Sequence, residues 1–292
     1  MNREERLIHI HHCRGIGWRG IDKLLKEDQD LVSIYELSVN TLIREFSFQR
    51  QYAELFHRDL HTLDIEKKLE DYKAAGIEVL TVFDPEYPPL LKMIYDPPWV
   101  LYTKGNRAIF QHQQLLSVVG TRKPTKEGLT ALRFILTPLV DQGWTIVSGM
   151  ALGVDGAAHH HALRSSTIAV LGSGLLHPYP KKHLSLFQNL IKYHLVISEY
   201  PPDQPPKRWQ FPERNRIVSG LSMGTLVVEA QEKSGSLITA DQALEQGREV
   251  FAIPGNIFNM NTVGTHRLIQ QGAQLVTSAE DILSQFSTPL TR

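Results

Sequence analysis

The spacing of apolar residues changes along the chain near residue 110. Before that point, apolar positions recur at helical intervals in five short segments: "ERLIHIHHC", "GIDKLLKE", "TLIREF", "YAELFHRDL" and "DIEKKLEDYKAAG". This spacing predicts small amphipathic helices. We therefore expect a small all-helical N-terminal domain over residues 1–75.

The next segment, residues 76–110, is expected to be a connector with the first strand. "GIEVLTVFD" has the apolar and β-branched residues of a strand. In "DPEYPPLL" and "DPPWVLYTKG" the prolines favour extended backbone, because proline fixes φ and removes a backbone donor.

From Leu115 onward, short apolar runs alternate with helical segments. The runs are "LLSVVG", "WTIVSG", "TIAVLG", "LVISEY", "TLVVEA" and "EVFAIPG", and nearly every one ends in glycine or a small polar residue. Continuous apolar strands between helices indicate a parallel sheet that is covered on both faces. We predict an α/β fold: a Rossmann-like, doubly wound, mostly parallel sheet over residues 111–286, followed by a tail at 287–292. Ligands of such sheets bind at the carboxyl ends of the strands.

The composition excludes several classes of protein. Hydrophobic residues make up 42% of the 292 residues, so a substantial core is expected. Lys+Arg and Asp+Glu both number 31, so a globally basic nucleic-acid binder is not indicated and anion binding would need a local cluster. The single cysteine, Cys13, excludes a disulfide within the chain. The charged start "MNREERLIHIHH" lacks the apolar region of a signal peptide, and no apolar run approaches the roughly 18 residues of a membrane span. We expect a soluble cytoplasmic protein.

Near the N-terminus, "CRGIGWRGIDKLL" has two glycines in a tight turn before an amphipathic helix. One interpretation is a helix-hairpin-helix, whose turn offers backbone N–H groups to a phosphate. The other is a plain helical hairpin that packs on its neighbours, since G-x-G alone is a weak pattern.

The loop after the first apolar run of the α/β region reads Gly120-Thr121-Arg122-Lys123 and leads into a helix from about Lys126. Glycine lets the backbone approach a ligand, and threonine with the helix N-terminus supplies donors to an anion. Neither the dinucleotide fingerprint G-x-G-x-x-G nor the P-loop pattern is present. The loop therefore indicates anion binding without indicating either of those cofactors.

The loop "SGMALGVDGAAHHHAL" contains three consecutive histidines, which at first suggest a metal site. Consecutive helix residues point in different directions, so the run cannot chelate one ion. Asp155 and His159 are four residues apart and share a helix face, but two ligands make a weak site. We expect a structural Asp–His hydrogen bond or helix capping here, and no metal.

Two further loops combine small residues, aromatics and cations. In "LGSGLLHPYPKKHLSL", Gly172-Ser173-Gly174 leaves room for a close approach, and Tyr179 stands near Lys181 and Lys182. Between Lys207 and Arg216 the excess of positive charge is three, and Trp209 and Phe211 interleave with the arginines. Arginine forks match phosphate oxygens, and aromatic faces stack on bases. A later helix begins at Ser234-Gly235-Ser236, where its amides can hold an anion.

A series of motifs resembles the DNA-processing protein A family, also called DprA or Smf. In order they are "VVGTRKPTKEG", "SGMALGVDGAAHHHAL", "LGSGLLHPYPKKH", "SEYPP", "FPERNRIVSGLS", "VVEAQEKSGSLITADQALEQGREVFAIPG" and "GTHRLIQQGA", and they cover about residues 80–285. The resemblance implies a protein that binds single-stranded DNA without cutting it and protects incoming strands. It also implies loading of the RecA recombinase during natural transformation, and a homodimer formed through the Rossmann domain.

The same resemblance implies roles for particular residues. Arg122 matches the family's DNA-gripping arginine, and Arg208 and Phe211 match its basic residue and its base-stacking aromatic. Lys182 matches a DNA-binding lysine of some members, and "FPERNR" matches the FPxRNR motif. The full set of expected nucleic-acid contacts is Gly120, Thr121, Arg122, Lys123, Gly172, Ser173, Gly174, Lys182, Arg208, Phe211, Arg214, Asn215, Arg216, Ser234, Gly235 and Ser236.

The sequence departs from the family pattern in two places. The motif GLDxxYPxxN has Leu176 and His183 here where the family more often has an acidic residue and an asparagine. Many relatives carry a C-terminal winged helix, and we expect none after "EDILSQF" in this chain.

The alternative is a Rossmann-like nucleoside-monophosphate phosphoribohydrolase of the lysine-decarboxylase-like group. In "GTLVVEA", Gly224, Thr225 and Glu229 are placed comparably to that group's glycine, threonine and acid. Its PGGxGT motif is absent, because the chain reads "GLSMGT". No paired carboxylates or Ser/His/Asp set is evident in the sequence. We therefore expect a binding protein without catalytic residues or cofactor, with Glu229 as a hydrogen-bonding support.

Overall fold

A computed structural model describes residues 1–287, and residues 288–292 of the expected tail lie outside it. The chain forms two compact units. One holds Met1–Tyr87 and Asp96–Tyr102, and the other holds Pro88–Tyr95 and the chain from Thr103 onward. The domain boundaries expected from the sequence stay predictions. None of the helices within residues 1–287 is long and apolar enough to cross a membrane.

The first unit includes five α-helices and the first strand, and the start of a second strand, Val100–Tyr102, also belongs to it. The helices and the first strand are α1 (Arg3–His12), α2 (Trp18–Glu27), α3 (Val39–Arg44), α4 (Arg50–Thr62), α5 (Ile65–Ala74) and β1 (Glu78–Thr81). Helix α1 begins with a capping box, in which Asn2 accepts from the backbone of Glu5 and the Glu5 carboxylate accepts from the backbone of Asn2. The apolar faces meet in a core that includes Leu7, Ile10 and Phe56.

The glycine-rich turn joins α1 and α2 in a helical hairpin, and a carboxylate of the same chain binds at this turn. Gly15 has φ +85°, and a Cβ there would clash with the carbonyl of Tyr52, so glycine is required. The backbone N–H of Arg14 donates to the Asp59 carboxylate at 3.0 Å, and its guanidinium makes two further bonds of 2.7 Å to the same carboxylate. This favours the plain hairpin over a phosphate-binding turn.

The remaining elements follow in chain order. They are α6 (Pro89–Lys92), β2 (Val100–Gly105), β3 (Leu115–Val119), α7 (Lys126–Asp141), β4 (Thr145–Ser148), α8 (Val154–Ala162), β5 (Ser166–Leu171), α9 (Leu184–Tyr193), β6 (Leu195–Ser198), α10 (Gln210–Gly220), β7 (Gly224–Val227), α11 (Gly235–Glu245), β8 (Glu249–Ala252), α12 (Val263–Gln270), β9 (Gln274–Leu275) and α13 (Ala279–Ser287). Strand β2 lies in the segment expected to be an extended connector. Its Val-Leu-Tyr-Thr run is fully buried, and this burial overrides the preceding prolines.

The second unit contains a parallel sheet with the order β6-β5-β4-β3-β7-β8-β9. The chain moves outward from β3 to β6 on one side and then returns to start β7 on the other side of β3. Adjacent strands β3 and β7 pair in register, with Ser117 opposite Thr225. The predicted Rossmann-like, doubly wound α/β fold is confirmed.

Helices cover the sheet on both faces because its strands are apolar on both. Residues Leu116 and Val118 of β3 pack with Leu226 of β7 beneath α7, α8 and α13. The alternate residues of these strands face the other side, where α10 and α11 pack against each other and against β5, β7 and β8. The core of this unit therefore has two layers, and the loops at the strand ends are left to form a site.

Candidate nucleic-acid interface

The site lies where the sheet reverses direction, between β3 and β7. Connections leave these two neighbours in opposite directions, which opens a crevice at their carboxyl ends. The loop after β3 is tied to the end of β7, because the backbone N–H of Thr121 donates to the carbonyl of Glu229 at 2.7 Å. Arg122 and Lys123 are thereby positioned at the crevice.

Helix α7 begins at this loop with a double cap. The hydroxyl of Thr125 accepts from the backbone N–H of Gly128 at 2.9 Å. The carboxylate of Glu229 accepts from the Thr125 backbone N–H at 2.9 Å and from its hydroxyl at 2.5 Å. Both carboxylate oxygens are thus engaged at the helix N-terminus, where negative charge is stabilised. The expected supporting role of Glu229 is confirmed.

The loops after β3 and β4 touch through glycine. Gly153 has φ +82°, and a Cβ at this position would clash with the carbonyl of Thr121 and the backbone of Arg122. The backbone N–H of Val154 also donates to the Thr121 carbonyl at 3.2 Å. The conformation of the arginine-bearing loop therefore depends on a residue without a side chain at position 153.

These loops enclose a cavity of about 770 Å³. It is lined by Val119, Gly120, Thr121, Arg122, Lys123, Ala151, Asp155, Tyr179, Arg208, Phe211, Pro212, Arg214, Asn215, Gln231, Lys233, Ser234, Gly235, Ser236, Ile238 and Thr239. Among these described lining residues, five are cationic and one is a carboxylate, although the whole chain has a formal net charge of +0. The cavity therefore suits an anionic ligand.

An aromatic pair stands at one wall of the cavity. The rings of Tyr179 and Phe211 are 5.5 Å apart between centroids and are tilted by 50°. Phe211 is half-buried and rests on Gly172, where a Cβ would come within 2.8 Å of its ring. Gly172 thus supports the ring, which lines the cavity and is of the kind that stacks on bases.

Arg214 and Asp155 lie deeper in the same cavity. The guanidinium of Arg214 donates to the carbonyl of Gly149 at 2.6 Å and to that of Val170, so it joins the ends of β4 and β5. Burial lowers the pKa of Arg214, and the nearby Asp155 opposes this effect. Burial likewise raises the pKa of Asp155 against the influence of Arg214. Arg214 is therefore chiefly a structural support that adds positive charge below the opening.

The N-terminus of α11 forms the opposite wall. Ser234 caps this helix through a 3.4 Å bond from the backbone N–H of Ser236, and the amide of Asn215 donates to the carbonyl of Gly235 at 3.3 Å. The helix has eleven residues, so its amides present partial positive charge to the cavity. Ser234, Gly235 and Ser236 thus line the cavity, and their contact with an anion stays a prediction.

Eleven of the sixteen residues expected to contact nucleic acid line the cavity, and five do not. Ser173 donates its hydroxyl to the carbonyl of His177 at 2.7 Å, and Gly174 packs on Pro201 and Pro202. Gly172 supports Phe211 from beneath. Arg216 forms a buried ion pair of 2.5 Å with Glu199, and Lys182 is exposed on a short 3-10 helix. Gly172, Ser173, Gly174 and Arg216 thus make contacts within the protein. Contact of all sixteen residues with nucleic acid stays a prediction.

The histidine run has a structural arrangement. The ring of His159 bonds Thr167 at 2.7 Å, not Asp155, whose carboxylate accepts from the backbone N–H of Ala151 at 3.3 Å. The expected Asp–His bond is therefore replaced by a bond to the neighbouring strand. Within residues 1–287, no group of three or more His, Cys, Asp or Glu side chains is placed to hold a metal. His183, at the divergent position of its motif, bonds the carbonyl of Met150 at 3.0 Å.

Several lining residues were not among the expected contacts. They include Tyr179 and Asp155, and also Lys233 and Thr239, which flank the serine-rich start of α11. Lys233 precedes Ser234 directly, so its position was readable from the sequence. Thr239 lies one turn into α11, and only helix geometry brings it to the same wall.

Comparison with known proteins decides the family. Residues 78–287 match the model of the DNA recombination-mediator protein A family. The chain belongs to this family. It is 45% identical to DNA processing protein DprA of Bacillus subtilis over 223 residues, which are 76% of this chain and 75% of that protein. It is also 45% identical to DprA of Streptococcus pneumoniae over 246 residues, or 84% and 86% of the two chains.

Two solved DprA structures are similar to this family member. The X-ray structure of DprA from S. pneumoniae has a TM-score of 0.85 at 37% identity, covering 98% of this chain and 99% of that one. DprA from Helicobacter pylori, described for its single-stranded DNA binding mode, has a TM-score of 0.66 at 29% identity, covering 72% and 95%. The resemblance drawn from the motifs is confirmed.

Proposed function

We propose that this protein binds single-stranded DNA in the cavity between β3, β7, α10 and α11, and that it does so without chemistry on the strand. The observation that carries the proposal is the cavity itself, in which five cations face one carboxylate beside a supported aromatic ring. Phosphates would lie on Arg122, Arg208 and the start of α11, and a base would stack on Phe211. The family supports a role in DNA recombination, and a relative is described by its single-stranded DNA binding.

The acidic residue of the alternative enzyme is unavailable for catalysis in this geometry. Glu229 is buried, both of its oxygens accept hydrogen bonds from Thr125 at the start of α7, and it does not line the cavity. A phosphoribohydrolase needs an acid that reaches its substrate. This observation favours a non-catalytic binder.

The remaining parts of the proposal rest on family membership. We propose that the DNA-bound protein loads the RecA recombinase and protects incoming strands in the cytoplasm. We further propose that it acts as a homodimer through the Rossmann-like unit. These steps follow from the recombination-mediator role of the family, and the cavity is the site from which the strand would be presented.

The test is a binding titration with fluorescent oligonucleotides, single-stranded against double-stranded, over a range of salt concentrations. We expect preference for the single strand, little dependence on sequence, and affinity that falls with salt by about 0.7 log unit per log unit of salt for each phosphate contact. Arg122→Ala should weaken binding about tenfold, because it removes a charge-assisted contact.

Arg133→Ala is the matched control, since it removes the same charge from an exposed position of α7 that does not line the cavity. It should leave affinity unchanged. Equal affinity for both forms of DNA, or equal effects of the two variants, would contradict the proposal. Release of free base from a nucleoside monophosphate would instead establish the enzyme.

A further inference from the structure

The loop between β8 and α12 displays apolar side chains to solvent. Phe258 is 89% exposed, Ile257 74% and Met260 67%. We propose that Phe258 is a second stacking platform, on which an unpaired base of the bound strand rests after the strand leaves the cavity. This inference rests on the proposed function.

The loop is held in one conformation by its own polar side chains. The amide oxygen of Asn256 accepts from the backbone N–H of Phe258 at 2.9 Å, and that of Asn259 accepts from the N–H of Asn261 at 3.0 Å. The hydroxyl of Thr262 donates to the carbonyl of Asn256 at 2.7 Å. These bonds restrain the backbone that carries Phe258, so less backbone entropy is lost when a ligand binds there.

The same loop is joined directly to the cavity wall. The side chain of Asn261 donates to the carbonyl of Lys123 at 3.1 Å and accepts from the amide of Gln231 at 2.9 Å. Lys123 and Gln231 both line the cavity. Phe258 is three residues from Asn261, a chain distance of at most about 11 Å. Phe258 therefore lies close to the cavity wall that carries Lys123.

The chemistry of the loop fits nucleic acid. Residues 254–263 contain no acidic side chain, so nothing in the loop repels a phosphate backbone. A fully exposed phenylalanine offers its π-face to any base, and such stacking tolerates all sequences. Continuity with the cationic cavity favours a base over the apolar surface of another protein.

The first experiment compares two lengths of oligonucleotide. Phe258→Ala should weaken binding of a strand of about 20 nucleotides about fivefold or more, and leave a strand of about 6 nucleotides unaffected. Phe134→Ala is the matched control. Phe134 is 65% exposed in the same unit and lines a separate groove of α7, so it should change neither affinity.

A second readout uses fluorescence. Phe258→Trp should show quenching on addition of the long strand beyond that of the parent protein, whereas Phe134→Trp should show none beyond it. This inference is overturned if Phe258→Ala leaves affinity for the long strand unchanged and Phe258→Trp shows no additional quenching. The proposed function stands in that case if Arg122→Ala still weakens binding of both strands. If Arg122→Ala also has no effect, the proposed function itself fails.

The competing occupant is a second copy of the chain. Light scattering of the Phe258→Ala variant decides this, since we expect its molar mass to equal that of the parent protein. A lower mass would show that the loop is a subunit contact and would overturn the stacking role.

Discussion

The carboxylate of Glu229, just after β7, accepts both hydrogen bonds that Thr125 offers at the start of α7, at 2.9 and 2.5 Å. These residues are 104 positions apart in the chain. Their contact joins the two strands at the switch point and fixes the loop that carries Arg122. Glu229 therefore acts as a structural cap of α7.

We expect Glu229→Gln to destabilise the fold and not to abolish an activity. The amide keeps one acceptor oxygen but turns its NH₂ group toward a donor, so the free energy of unfolding should fall by about 1–3 kcal/mol. Urea denaturation measures the change. The control is Glu249→Gln, at the exposed start of β8. Its free energy of unfolding should fall by less than about 0.5 kcal/mol. Unchanged stability of Glu229→Gln would remove the capping role.

Gly153→Ala should disturb the arginine loop. The Cβ would clash with Thr121 and Arg122 at positive φ, so we expect a loss of about 3 kcal/mol or more and weaker binding of single-stranded DNA. Gly143 also has a positive φ, +85°, but a Cβ added there would have no atom within 4 Å. Gly143→Ala should therefore lose only about 1–2 kcal/mol and keep its affinity. If the two variants lose similar amounts of unfolding free energy, the backbone around position 153 relieves the clash with Thr121 and Arg122, contrary to this prediction.

Thr239→Val should not weaken the fold. Within the described residues, the buried hydroxyl of Thr239 has no hydrogen-bond partner, so its removal is neutral or stabilising. Thr265 is equally buried, but its hydroxyl donates to the carbonyl of Thr262 at 3.0 Å. Thr265→Val should lose about 1 kcal/mol. Thermal denaturation of both variants checks the contrast, and a destabilised Thr239→Val would contradict it.

His159 should make the fold sensitive to acid. Thr167 donates its hydroxyl proton to the carbonyl of Ile146 at 2.6 Å, so the Nδ1–H of His159 must donate to that hydroxyl. The buried Nε2 then lacks a partner in the described structure, and its protonation would bury an unpaired charge. Burial, with a smaller contribution from His183, lowers the pKa of His159 to about 3.

The sign follows from proton uptake on unfolding. Unfolded His159 has a pKa of about 6.5, so between that value and about 3 the unfolded state binds more protons. The contribution of His159 to the free energy of unfolding is fully present above pH 6.5. Below that pH it falls by up to about 1.4 kcal/mol per pH unit. His159→Asn, which can keep the bond to Thr167, should show a shallower loss in urea titrations between pH 7 and 4. An identical slope in the variant would exclude His159 as the cause.

Pattern alone predicted much of this fold. The six apolar runs after Leu115 are β3 to β8, and the expected helix start near Lys126 is where α7 begins. Strands that are buried on both faces must be continuously apolar, and their ends must carry turn residues, so they are visible in one dimension. Strand β9 was missed because two residues, Gln274 and Leu275, are too few for a pattern. Strand β2 was missed because the prolines before it indicated a connector.

The loops at the strand ends were also visible in the sequence, since glycines and cations follow the apolar runs there. What those side chains do was decided by tertiary structure. Arg122, Arg208 and Phe211 line the cavity, whereas neighbouring Arg216 is buried against Glu199. Residue type and spacing do not show which arginines line the cavity and which are buried in ion pairs. That depends on which face of the helix packs on the sheet and on whether a carboxylate lies next to that face. The sequence by itself determined where the strands lie along the chain and which loops carry cations. Only the tertiary structure determined the order of neighbouring strands and which of those cations line the cavity.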